Sequence, residues 1–254
     1  MHIATQGSGP ALVLIHGWAM HSGLFAPLTQ LLAPRFTVHL VDLPGHGRSR
    51  DEAVLSLDRV VAELAEAIPA GAIWAGWSLG GLIAMAAAQA HPERIGGLAA
   101  IASSPRFVSA PDWPFGVERA VFERFAHGLE TDFQPTVERF LALETLGSPD
   151  AGAQLRALRA QVFAYGPPAL PALQQGLVLL EDCDLRAAVA ALPMPSAWIA
   201  GRRDRLVPHA ALRWAADAAP GGRYLEVASG HMPFLADADA VAAALAALRP
   251  ADAD

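Results

Sequence analysis

The chain has 254 residues, 53% hydrophobic and 17% charged, which suits one packed α/β domain, alone or with an insertion, and excludes a disordered chain. A formal charge of −7 argues against general nucleic-acid binding, and all 18 basic residues are arginine, so no lysine can serve as Schiff base or general base. The single cysteine, Cys183, rules out an internal disulfide and a Cys-ligated metal cluster, and its neighbours Asp182 and Asp184 disfavour a reactive thiolate.

No basic segment followed by a long apolar stretch opens the chain, and no run reaches the ~18 apolar residues of a membrane span, so a cytoplasmic protein is expected. Short apolar strands alternate with helical patterns, which predicts an α/β fold with a mostly parallel sheet flanked by helices. Strands are expected at 11–15, 37–41, 72–75, 95–101, 196–200 and 223–227. Helices are expected at about 22–33, 56–68, 79–90 and 238–248. From about 106 to 190 the strand pattern stops. Helical stretches at 117–128, 132–146, 151–164 and 169–180, punctuated by Pro111, Pro114, Pro135, Pro149, Pro167, Pro168 and Pro171, read as a lid inserted into a core made of 1–105 and 191–254.

The chemistry centres on Gly76-Trp77-Ser78-Leu79-Gly80, a G-x-S-x-G between an apolar strand and an apolar helix. A serine on so sharp a turn exposes its hydroxyl, and the flanking glycines avoid crowding it. Serine needs a base to take its proton and a carboxylate to orient that base. Asp204 and His231 follow two later strands, in the order Ser…Asp…His, beyond the carboxyl ends where open α/β sheets build their sites. Asp42 and Asp184 are rivals for the acid. Among nine histidines, His16 and His46 lie in glycine loops near the site with a structural role expected; His127 and His209 fall in helical patterns facing solvent. The oxyanion needs two N–H donors, for which Leu79 and Trp18, in the loop His16-Gly17-Trp18, are the candidates. No metal-ligand spacing and no third glycine of a dinucleotide motif appears, so no metal or cofactor is expected.

The HGW loop, the DLPGHGRS loop, the GWSLGG elbow, the late aspartate and the GHxPF histidine together resemble an α/β-hydrolase over about residues 11–235. The closer resemblance is to pimeloyl-[acyl-carrier protein] methyl ester carboxylesterases of biotin synthesis, through 38–45, 73–81, His91-Pro92-Glu93-Arg94, Ala102-Ser103-Ser104-Pro105, Asp184-Leu185-Arg186 and the lid stretch 136–143. The resemblance implies hydrolysis of a methyl ester on a pimeloyl chain borne by acyl-carrier protein. It implies Ser78, Asp204 and His231 as the triad and Trp18 with Leu79 around the ester. Phe140, Leu141, Ala142 and Leu143 would line the acyl channel.

An apolar channel would suit a seven-carbon chain, and arginines at its mouth would suit the carrier's phosphate and acidic surface. Arg139, Arg156 and Arg159 are available, the last two at i and i+3 of one helix; a solvated helix face is the plainer reading of those two. Pro135 and Gly152 stand where the family has further basic residues, and Glu144 where it has glutamine. The stretch 106–190 carries 11 acidic residues against 7 arginines. A monomer is expected. Alternatives remain: a general short-chain carboxylesterase, a lactonase, a carbon–carbon bond hydrolase, a non-catalytic binding protein of the same fold, or a scaffold that uses the helical lid as an interaction surface.

Overall fold

The computed structural model describes residues 1–52, 54–148 and 151–249; Pro149 lies outside them. Seven strands form one sheet: β1 (His2–Gln6), β2 (Ala11–Ile15), β3 (Thr37–Asp42), β4 (Ala72–Trp77), β5 (Ile95–Ile101), β6 (Ser196–Gly201) and β7 (Gly222–Val227), in the order β1-β3-β2-β4-β5-β6-β7. β1 pairs antiparallel with β3, and the remaining pairs are parallel. β1 was absent from the sequence expectation. Its residues mix polar and apolar types and are half-buried or exposed, as an edge strand allows, so no apolar run marks it.

Most of the strands that were legible are buried on both faces; β7, on the far edge, is half-buried over most of its length and was marked instead by its run of Tyr224, Leu225 and Val227. β4 and β6 are buried at every position, which is why they read as continuous apolar runs. α1 (Ala26–Leu32) links β2 to β3, and α2 (Leu57–Ala67) and α3 (Leu79–Ala90) flank β4. The crossover from β2 to β3 runs one way along the sheet, whereas those into β4, β5 and β7 run the other. Right-handed crossovers therefore put α1 on one face and α2, α3 and α9 (His209–Ala218) on the other. α1 packs with α10 (Pro233–Ala236) and α11 (Ala238–Ala246). The single helix expected at 22–33 is a 3-10 turn over Ser22–Phe25 followed by α1, with Pro at its start.

Between β5 and β6 lie α4 (Arg119–Thr131), α5 (Phe133–Thr145), α6 (Ala151–Val162), α7 (Leu170–Asp182) and the short α8 (Arg186–Ala190). α5 packs between α4 and α6, and α7 reaches back to α3. Side chains tie this segment to the core: His21 Nε2 donates to Gln161 O at 2.8 Å, and the Arg48 guanidinium lies 4.5 Å from the Tyr165 ring centre. No described helix is long and apolar enough to cross a membrane.

Candidate active site

Ser78 sits where β4 turns into α3 with φ 54° and ψ −119°, a conformation side chains rarely adopt and one that costs about 1–3 kcal/mol. Its surroundings fix it there. Ser78 N–H donates to Ile101 O at 3.0 Å, and Ser78 O accepts from Ser103 Oγ at 2.7 Å. A Cβ on Gly76 would collide with the Gly80 carbonyl, and one on Gly80 with the Ile15 carbonyl, so the turn closes this tightly because both are glycine.

Asp204 follows β6 and His231 follows β7. His231 Nδ1 lies 2.7 Å from Asp204 Oδ2, with 1% and 0% of the two side chains exposed. The other carboxylate oxygen accepts from Leu206 N at 2.8 Å and Val207 N at 3.0 Å, which fixes the aspartate in its turn. Asp204 Oδ2 accepts a hydrogen bond from His231 Nδ1–H, the tautomer that leaves Nε2 as the acceptor. Nε2 is buried and has no partner among the described residues, so the serine–histidine hydrogen bond is not closed in this conformation. Trp77, the residue before Ser78, joins the two: its Nε1 donates to His231 O at 2.8 Å, and the rings are 5.7 Å apart.

The loop after β2 crosses the serine closely, since a Cβ on Gly17 would stand 3.2 Å from Ser78 Cβ. Among the described residues, neither the Trp18 nor the Leu79 backbone N–H donates to another group. The rival acids are occupied elsewhere. Asp42 accepts from Ser22 N at 2.8 Å and Arg48 N at 3.0 Å, whereas Asp184 pairs with Arg106 and Arg186. His16 Nε2 accepts from Leu43 N at 2.9 Å; burial, then His46, pushes it down to about 3, and burial pushes His46 down to about 4. Both are therefore neutral struts. The Cys183 thiol is pushed up by burial and by Asp182.

The profile of the family described as "alpha/beta hydrolase fold" matches residues 10–238. The chain belongs to the α/β-hydrolase family. Within it, the chain is 56% identical to the pimeloyl-[acyl-carrier protein] methyl ester esterase of Xanthomonas axonopodis pv. citri, over 96% of this chain and 97% of that one. It is 55% identical to the esterase of the same name from Stenotrophomonas maltophilia, over 99% of both. Among solved structures it superposes on the enol-lactonase of Burkholderia xenovorans with a TM-score of 0.84 at 21% identity, covering 97% of this chain and 95% of that one. An esterase of Exiguobacterium antarcticum gives 0.82 at 19% identity, covering 97% and 94%. These structural likenesses speak to the fold alone.

In this hydrolase the channel candidates on α5 diverge. Phe140 and Leu141 are buried, and the Phe140 ring lies 4.6 Å from Trp18, whose Nε1 donates to Leu173 O at 2.8 Å. Ala142 and Leu143 are half-buried, and Leu143 lines a groove of about 910 Å³ between α4 and α5 with Arg124, Phe125, His127 and Arg139. Phe125 of that groove is 5.9 Å from Phe140, so apolar rings run from groove to Trp18. The three arginines differ in their partners. Arg139 turns to Asp132 at 3.6 Å, and Arg159 pairs with Glu138 at 3.0 Å. Arg156 is exposed, with no partner among the described residues.

Sequence reasoning passed over three residues. Trp77 was read only as part of the serine motif, although its indole supports His231. Ser103 was read only as part of a resemblance, although it holds the serine carbonyl. Glu144 was noted as a departure, yet it falls on the buried stripe Val137, Leu141, Glu144 of α5, and that spacing was the available signal.

Proposed function

We propose that this hydrolase is a serine carboxylesterase that cleaves the methyl ester of pimeloyl-[acyl-carrier protein] in biotin synthesis, through Ser78, His231 and Asp204. The observation that carries the chemistry is the buried 2.7 Å pair of His231 and Asp204, tied through Trp77 to a strained serine. The substrate rests on relatives of that name at 55–56% identity over nearly the whole chain.

Ser78 Oγ attacks the ester carbonyl while His231 Nε2 takes its proton, and Asp204 stabilises the imidazolium. The free N–H groups of Trp18 and Leu79 receive the oxyanion. His231 returns the proton to the departing methoxide, giving methanol and an acyl-serine. Water, deprotonated by the same nitrogen, then releases the pimeloyl carboxylate and restores the serine. The helices between β5 and β6 act as the lid, with Phe140 and Leu141 against the acyl chain and Ala142 and Leu143 nearer its mouth. Arg139, Arg156 and Arg159 are the docking candidates for the acidic carrier, and Arg156, the one without an acidic partner among the described residues, is the strongest of them. A monomer acting in the cytoplasm on a carrier-bound substrate completes the reading.

The deciding experiment compares kcat/KM on pimeloyl-carrier methyl ester, dimethyl pimelate and a short-chain p-nitrophenyl ester. A strong preference for the carrier-bound ester is expected. Equal values on all three would leave a general carboxylesterase and remove the carrier from the reading.

A further inference from the structure

A carboxyl group in the apolar stripe of a helix needs a reason, because its charged form loses hydration without compensation. Glu144 is 0% exposed, and neither of its carboxyl oxygens has a hydrogen-bond partner among the described residues. It stands in the last turn of α5, whose end wedges against both loops of the acid–base pair. The Leu146 carbonyl packs on Gly230, next to His231, and Gly147 packs on the Arg203 carbonyl, next to Asp204.

The charges around it are unevenly placed. The Asp204 charge opposes ionisation of Glu144. On the same loop, Arg203 donates to Ala228 O and Arg205 is exposed. α4 contributes Arg124 and His127, and α6 contributes Arg156 and Arg159, all four exposed to solvent. On α5 itself, Glu138 and Arg139 are engaged with Arg159 and Asp132. Among the described residues, no cationic side chain hydrogen-bonds either Glu144 oxygen to offset a negative charge.

We infer that Glu144 is a positioning residue that works as a neutral carboxylic acid, leaving Asp204 as the only carboxylate acting on His231. This rests on the triad reading above. Burial, reinforced by the Asp204 charge, pushes the Glu144 carboxyl well above the usual carboxylate range, which agrees with the geometry. Loss of its proton would put a second negative charge beside Asp204. That charge would oppose formation of the oxyanion at Ser78 and lower the rate at high pH. Glutamine has the shape and polarity of the neutral acid but no proton to lose, so it isolates the charge.

The test measures kcat/KM on dimethyl pimelate against pH for the wild type and Glu144→Gln, with Ser78→Ala as the background. The wild-type profile is expected to fall on its alkaline side and the Glu144→Gln profile to stay level there. The ratio of rates at high and neutral pH is the readout, so a change in absolute rate does not enter. Thermal unfolding gives a second signature. A carboxyl raised on folding contributes its stability below its unfolded pKa of about 4.3 and loses it as pH rises through the folded value. The Tm advantage of Glu144→Gln over wild type is therefore expected to grow as pH rises from about 4.3 toward the folded value. A constant Tm difference would overturn the neutral acid. Superimposable pH–rate profiles would overturn the positioning role even if the Tm difference grows. Turnover retained by Ser78→Ala would instead overturn the triad reading, and is scored separately.

Discussion

The sheet and the helices between β5 and β6 solve different problems with the same chain. At the carboxyl edge of the sheet, position is over-determined: Ser78 is locked by Ile101, Ser103 and two glycines, and Asp204 by two backbone amides and a histidine. In the helical segment, most polar side chains are exposed, and Arg119, Arg139 and Arg159 are engaged with acids of neighbouring turns or helices. One region can hold reacting atoms within tenths of an ångström. The other can vary its surface with little effect on the chemistry, which suits it to choosing the substrate.

Substitutions on the two sides should therefore differ sharply. Ser78→Ala is expected to lower kcat by at least about 10⁴-fold with an unchanged unfolding midpoint, measured by steady-state hydrolysis and calorimetry. Acid should damage the sheet side before the helices. His16 and His46 have folded pKa values depressed to about 3 and about 4, so their contribution is present above the unfolded value near 6.5 and is lost as pH falls through that window. Each contributes on the order of 2–4 kcal/mol, and a denaturant midpoint that stays flat from pH 6.5 to 4 would contradict this. Trp77→Phe removes the donor to a buried carbonyl and should cost about 1–3 kcal/mol of stability and about 10-fold in kcat/KM on every ester tested. The smallest effects belong to the helices. Arg156→Ala should raise KM for the carrier-bound ester about 2–5-fold and leave dimethyl pimelate unaffected, whereas Arg159→Ala, already neutralised by Glu138, should do less. A docking loss that is larger at Arg159 would reverse this ranking.

The same contrast explains what the sequence made legible. Strands buried on both faces appear as apolar runs, and the serine turn, with glycines on both sides, has one backbone solution, so β2 to β6 and that turn could be read directly, whereas the half-buried β7 showed through its run of Tyr224, Leu225 and Val227. β1 could not, because half-buried His2 and exposed Thr5 and Gln6 leave no apolar run. The pairing of the arginines was illegible for a different reason. Spacing along α6 put Arg156 and Arg159 on one face, but the pairing of Arg159 with Glu138 joins two helices and leaves no trace in local sequence. The role of Trp77 was hidden likewise, since a tryptophan in an apolar strand reads as packing until its indole N–H is found 154 positions away from its acceptor's place in the chain. Glu144 was visible in principle, because a carboxylate on an i, i+4, i+7 stripe breaks the pattern around it.

The end of α5 bears on how substrate gets in. Leu146 and Gly147 abut the two loops that carry the acid–base pair, while His21 and Arg48 fasten the segment near Tyr165 to the loops above β2 and β3. A segment pinned at both places is a poor trapdoor: swinging it away as one piece would strip support from the loops of Asp204 and His231 at the moment they are needed. On the proposed reading, a threaded acyl chain would instead pass at the rings of Phe125 and Phe140, where turning two side chains, a turnstile rather than a door, would leave the scaffold around the base undisturbed.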